Sequence, residues 1–344
     1  MVLISIGGMM RYKVIATDKA SSQKTRAEYL FQEYCLKETM TPKDFIHKVK
    51  TAYYKYNAEV YNPGYAVTLV PAFKKVLSDL PVEIDQVIVD IGAGSGQVYD
   101  LVTAEKFKFT KYYFIEPFQS MIDQFDHKDD GKVFVICDYF ESPYCTKLLN
   151  DEKGSKLFIM CAALRTLDNI NEFADSLKSN MKPGDKLFLP LEPNNDYFGS
   201  YYKALMPFVF GVRVLNKIRA VLSKNLYPPV ETNDKHPLVK SLEYLKKTGV
   251  VNAEFNSSLL YAIVYYNNYH AWLAIDIPED YNDGFFTIAQ LAKRLGGEVT
   301  EFKTNTYLYG FSFGVARIDG FIEKMLGKFF PSLGASLTAV ITKK

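Results

Sequence analysis

The chain has 344 residues, 48% hydrophobic and 23% charged, with a formal net charge of +2. That is a globular composition, enough for one large domain or one domain with a substantial insertion, and its near-neutral charge gives no bulk electrostatic case for a nucleic-acid partner. Four cysteines without CxxC spacing point to free thiols rather than a disulfide framework or a zinc site. With no signal-like leader and no run of about 18 uncharged apolar residues, a cytoplasmic protein is expected.

In residues 1–23, VLISI and RYKVIAT read as short strands, and SSQK as a loop. From residue 24 the apolar spacing turns helical, with Leu30, Phe31, Cys35 and Leu36 recurring near every 3.6 residues. Thr41-Pro42-Lys43-Asp44 is a helix start, with a capping hydroxyl, a proline at the first position and an acid in the first turn. Phe45, Val49, Ala52, Tyr53 and Tyr56 follow on one face, Asn62-Pro63-Gly64 is expected to break the chain, and 71–80 reads as a further helix. Strands are then expected at 87–90, 111–115, 132–137, 156–161 and 186–191, alternating with helices that include an amphipathic one at 168–181. Repeated β-α units imply a parallel sheet covered on both faces, with ligands at the carboxyl ends of its strands. After residue 191 the alternation stops for roughly ninety residues of aromatic-rich, mostly helical sequence. It resumes with a helix at 287–295, a strand at 298–309, a helix at 321–330 and an apolar strand at 336–342.

The stretch VIVDIGAGSGQ concentrates the chemistry. A buried strand runs into a turn in which Gly92, Gly94 and Gly96 remove side chains where backbone must turn tightly or approach a ligand. A dinucleotide fingerprint, G-x-G-x-x-G, would need its third glycine at position 97, which is Gln97. Asp90, just before the turn, suits a ligand carrying an ammonium and a sulfonium and does not suit a pyrophosphate. Glu116 ends the second strand, where a carboxylate can accept both ribose hydroxyls, and Asp138 ends the third, where it can accept from an adenine amine with Tyr139 covering the ring. Three acids ending successive strands of one sheet favour S-adenosylmethionine (SAM) over NAD.

On these residues the chain resembles the class I SAM-dependent methyltransferases. The carrying motifs are VIVDIGAGSGQ, FIEP at 114–117, VICDYFE at 135–141 and MKPGDKLFLPLEP at 181–193. The resemblance covers about residues 50–193 and the closing strands after 285. It implies an α/β fold, a doubly wound, mostly parallel seven-stranded Rossmann-like sheet with an antiparallel last strand supplied by 336–342. It implies that Asp90, Gly92, Ala93, Gly94 and Gly96 hold the methionine part, Glu116 and Pro117 the ribose, and Asp138 and Tyr139 the adenine. Tyr53, from the N-terminal helices, would close over the cofactor. The chain then divides into an N-terminal helical extension (1–80), a SAM-binding core (81–193), a helical aromatic-rich substrate insertion (194–283) and closing strands (284–344). No Asn/Asp-Pro-Pro-Tyr/Phe signature of amino-methylating nucleic-acid enzymes is present, so a small, apolar or aromatic acceptor is expected.

Methyl transfer from a sulfonium needs positioning above all, and needs a base only if the acceptor must lose a proton. His270, in YYNNYHAW within the insertion, and Glu192, past strand five, are the candidate catalytic groups. His47, His127 and His236 read as surface residues. The amphipathic, basic stretch 203–222 reads as a lid helix, with contact at a membrane surface or with a second copy of the chain as its other uses. A nucleoside-binding scaffold without transfer, and less favourably an NAD-dependent oxidoreductase, are the competing readings.

Overall fold

A computed structural model describes residues 26–68, 86–128, 130–168, 170–193, 236–265, 288–305, 321, 324–328 and 336–344. Two helices lead, α1 (Arg26–Tyr34) and α2 (Pro42–Thr68). Then come β1 (Gln86–Ile91), α3 (Gln97–Ala104), β2 (Phe109–Ile115), α4 (Gln119–Ile122), β3 (Val133–Ile136), α5 (Pro143–Asp151), β4 (Lys156–Ile159), α6 (Ile170–Asn180) and β5 (Lys186–Pro193). After these the described elements are α7 (Pro237–Lys247), α8 (Ser257–Tyr265), α9 (Ile288–Leu295), β6 (Gly297–Asn305) and β7 (Ser336–Lys343). The expected helix at 71–80, and most of the insertion including 203–222, lie outside the described residues.

The strands form one seven-stranded sheet in the order β3-β2-β1-β4-β5-β7-β6. β1 to β5 pair in parallel, and β7 runs antiparallel between β5 and β6. The sheet is therefore mixed, with the antiparallel last strand where the resemblance puts it: the Rossmann-like methyltransferase fold. Period-two alternation explains why both faces are apolar. Val87, Val89 and Ile91 pack under α5, α6 and α9 with Phe173, Leu177 and Leu295. Ile88, Tyr112, Phe114 and Ile159 pack under α3 and α4 with Tyr99, Val102 and Phe125. Strands buried on both faces read as continuous apolar runs, which is how VIVDI and YYFI appear in the sequence.

A third cluster joins parts of the chain that are distant in sequence. Phe45, Ile46, Val49, Ala52 and Tyr53 of α2 pack with Leu238 and Leu245 of α7 and with Leu260, Ile263 and Val264 of α8. Backbone bonds stitch the same layer, from Leu36 N–H to the Val250 carbonyl (3.1 Å) and from Asn252 N–H to the Tyr34 carbonyl (3.0 Å). The N-terminal helices and the described second half of the insertion thus share one core, set beside the sheet.

α2 starts as its sequence predicts. Thr41 Oγ1 accepts from Asp44 N–H (3.2 Å) while the Asp44 carboxylate accepts from the Thr41 hydroxyl (2.7 Å) and N–H (3.3 Å), a reciprocal cap. It does not stop at Asn62-Pro63-Gly64, as expected, but continues to Thr68. A proline forfeits one N–H bond and a glycine costs about 1 kcal/mol in a helix. The buried first half of α2 anchors the helix firmly enough for local propensity to be overridden.

Candidate functional site

The strand order reverses between β1 and β4, so the turns after these two strands lie side by side at the carboxyl edge, where ligands of such sheets bind. On one side, Gly92 and Ala93 donate to the Ile115 carbonyl (2.9 and 3.1 Å), and Gly92, Gly94 and Gly96 have φ of 67°, 62° and 96°. These are left-handed conformations that L side chains rarely adopt. A Cβ on Gly96 would also meet the Phe125 ring at 2.3 Å, so this glycine is demanded by packing as well as by backbone. On the other side, Ala162 takes a positive φ of 53°, and the Cβ of Ala163 would lie 3.1 Å from one placed on Gly92.

Two buried carboxylates meet at the glycine turn. Asp90 is 1% exposed; its Oδ2 accepts from the Tyr112 hydroxyl at 2.6 Å, and its Oδ1 has no hydrogen-bond partner among the described residues. Burial pushes its carboxyl up to about 7, opposed by the Tyr112 hydrogen bond. Glu116 is 5% exposed and reaches across from β2, one oxygen accepting from Gly94 N–H (3.0 Å) and the other from Phe118 N–H (3.1 Å). Burial pushes it up to about 8, against the pull of those two N–H groups, and the charge of Asp90 adds to the rise. Each Glu116 oxygen keeps a lone pair beyond the backbone bond, so a ribose diol can be accepted without breaking the turn. Asp138 is half-buried past β3, with one oxygen accepting from Tyr139 N–H (2.8 Å).

α2 closes over this carboxyl edge through residues the sequence reading passed over. His47, expected at the surface, is half-buried. Its Nδ1 lies 2.9 Å from the Tyr139 hydroxyl and its ring stacks on Phe118 at 5.7 Å. Desolvation is the largest influence on it and lowers its pKa, with the charges of Asp168 and Asp44 opposing. Tyr54 also stacks on Phe118, at 4.5 Å. Lys50, 3% exposed, pairs with Asp168 and donates to the Thr166 carbonyl beyond β4. Burial raises the Tyr139 phenol, with the negative charge of Asp168 adding to it. One helix therefore grips the loops after β2, β3 and β4. The signal was present: His47, Lys50 and Tyr54 recur at helical spacing beside the apolar face, giving α2 a second, polar-aromatic buried face.

Tyr53 lies in the core of the helical layer, 4% exposed, with its ring 5.4 Å from that of Tyr54, while the α2 rings that meet Phe118 of the β2 loop are His47 and Tyr54. Glu192 is 1% exposed, just past an irregularity in β5, and accepts from Ala163 N–H (2.8 Å) and Leu164 N–H (3.1 Å), holding the turn after β4. His236, expected in a solvated loop, caps α7 by accepting from Leu238 N–H at 3.2 Å. His270 lies outside the described residues. All four cysteines are free thiols, and among the described residues no helix is long and apolar enough to cross a membrane.

No family model matches the chain, and no curated protein matches its sequence. Among solved structures it is similar to a chain of the complex between the Haloferax volcanii Trm112 methyltransferase activator and a methyltransferase (12% identity, 84% of this chain and 96% of that one, TM-score 0.44). It is similar also to a SAM-dependent methyltransferase from Thermotoga maritima (15%, 85% and 98%, TM-score 0.41). A third is the plantazolicin methyltransferase BpumL in complex with a pentazolic desmethylPZN analog and SAH (12%, 88% and 98%, TM-score 0.41). The fold assignment rests on the strand order and register of the sheet itself.

Proposed function

We propose that this chain is a SAM-dependent methyltransferase acting on a small, apolar or aromatic acceptor. The observation that carries the reading is the pair of buried carboxylates at the glycine turn, one with an oxygen that no group among the described residues satisfies. A buried carboxylate without a counter-charge is costly, and the cationic group of a bound ligand would offset that cost at Asp90. Asp90 would take the ligand's ammonium, Glu116 its ribose hydroxyls and Asp138 its adenine amine, while Gly92, Ala93, Gly94 and Gly96 let it approach the backbone.

SAM supplies an electrophilic methyl group on a sulfonium. The chain's own work is to orient and to exclude water. α2 serves both ends, since His47 and Tyr54 hold the loops after β2 and β3, next to Glu116 and Asp138, and Lys50 holds the loop after β4. Glu192 acts in this scheme by holding the 163–164 turn opposite the glycines. His270 remains the proposed base for acceptors that must lose a proton, and the insertion supplies the acceptor pocket.

Isothermal titration with SAM tests the reading. Binding is expected for the native chain, and Glu116→Gln should weaken it about 10- to 100-fold, the worth of one charge-assisted hydrogen-bond set. No heat and no thermal shift at millimolar SAM would sink the proposal. Binding without transfer of radiolabelled methyl to any small-molecule fraction would favour the scaffold reading.

A further inference from the structure

We propose that Tyr112 is a positioning residue of the cofactor site, whose hydroxyl fixes the Asp90 carboxylate so that its second oxygen is presented to a cationic group of the ligand. The inference rests on the reading of this site as a SAM pocket. Nothing in the sequence motifs points to Tyr112, which sits within an apolar strand.

The geometry separates the ring's job from the hydroxyl's. Tyr112 is fully buried on the α3 face of the sheet, its ring edge-on to Tyr99 at 5.0 Å and to Phe109 at 5.7 Å. A phenylalanine would fill that space equally well, so packing does not call for the oxygen. The oxygen instead costs desolvation, which the 2.6 Å bond to Asp90 Oδ2 offsets. The two residues stand on neighbouring parallel strands with Tyr112 opposite Ile88, two positions before Asp90 on the same face, so the long phenol reaches along the sheet to the carboxylate. A carboxylate tied by one oxygen to a fixed donor has lost its freedom to rotate. Its other oxygen, Oδ1, has no partner among the described residues, and Asp90 is 1% exposed.

The groups around Asp90 give the bond an electrostatic role as well. β2 brings Tyr112 and Glu116, with Tyr99 and Asp100 of α3 acting on Tyr112 and Lys50 of α2 on Glu116, and β4 sets the apolar Ile159 beside Asp90. Lys50 acts on Glu116 and pairs with Asp168, so the Tyr112 hydroxyl is the described group that favours the ionised Asp90 carboxylate. Burial raises Asp90 to about 7 and the Tyr112 bond acts in the opposite direction. Removing the hydroxyl therefore moves ionisation, and with it ligand capture, to higher pH.

The test is Tyr112→Phe, with SAM affinity measured by titration calorimetry from pH 6 to 9 against the native chain. Native affinity should rise through pH 7. In Y112F that rise should move alkaline by about one pH unit or more, with about 10-fold weaker binding at pH 7, as expected for loss of a hydrogen bond to a charged group. In an Asp90→Asn background, Y112F should cost no further affinity. An unchanged pH midpoint in Y112F, even with a lower melting temperature, overturns the proposal and leaves Tyr112 a core residue. Should Y112F fail to fold, folding restored in the Y112F/D90N pair supports the coupling, and a pair as unfolded as the single variant refutes it. A native chain that takes up no SAM at any pH refutes instead the reading of the pocket.

Discussion

Asp90→Asn isolates the cost of the buried carboxylate. In the ligand-free fold Asp90 is raised from 3.8 to about 7 by burial. At 1.36 kcal/mol per pH unit that difference is worth about 4 kcal/mol. Below pH 4 the carboxyl is protonated both folded and unfolded and contributes nothing. Between 4 and 7 the unfolded chain releases the proton and the folded chain holds it, so rising pH favours unfolding. Above 7 the cost is constant. The asparagine of the variant cannot ionise and keeps an oxygen for the Tyr112 hydroxyl. The stability of D90N relative to the native chain should therefore grow with pH by about 4 kcal/mol, most of it below 7, and level off above about 8 once Glu116 has ionised as well. Glu116 carries a parallel slope in both proteins, softened in D90N because a neighbouring negative charge is gone. Urea unfolding at half-unit steps from pH 4.5 to 8.5 measures the difference. SAM should restore the native chain and do little for D90N. A stability difference that stays flat across this range would refute the assignment of Asp90 as a buried, unpaired acid.

Two further substitutions probe the frame around the site. Gly96→Ala places a Cβ 2.3 Å from the Phe125 ring at a φ of 96°, and combining overpacking with a left-handed backbone should cost about 2–4 kcal/mol, read as a lowered urea midpoint. Lys50→Met removes the cation from a largely buried pair whose side chains are 4% and 19% exposed, leaving Asp168 without its counter-charge. A loss of about 3 kcal/mol is expected. The loosened contact of α2 with the β4 loop should appear as faster hydrogen exchange at 164–168, and unchanged exchange there would remove α2 from its clamping role.

The alternation of strands and helices from β1 to β5, the glycine turn and the strand-end acids were legible in the sequence because they depend on local rules. Period-two burial, capping and the φ > 0 demands of Gly92, Gly94 and Gly96 act within a few residues, so VIVDIGAGSG declares its own geometry. Tertiary structure decided what those residues touch. The partner of Asp90 is twenty-two residues away on the next strand, and no local signal distinguishes Tyr112 from its neighbour Tyr113, which faces the opposite layer. His47 reads as a surface residue because one apolar stripe on α2 suffices, by sequence, to bury that helix; only packing on both sides, against α7 and α8 and against the strand-end loops, gives it two buried faces. Likewise Pro63-Gly64 carried a local stop that the anchored helix overrode. Local chemistry wrote the turn and its acids, and the long-range packing that selects one partner for each buried polar atom had to wait for the fold.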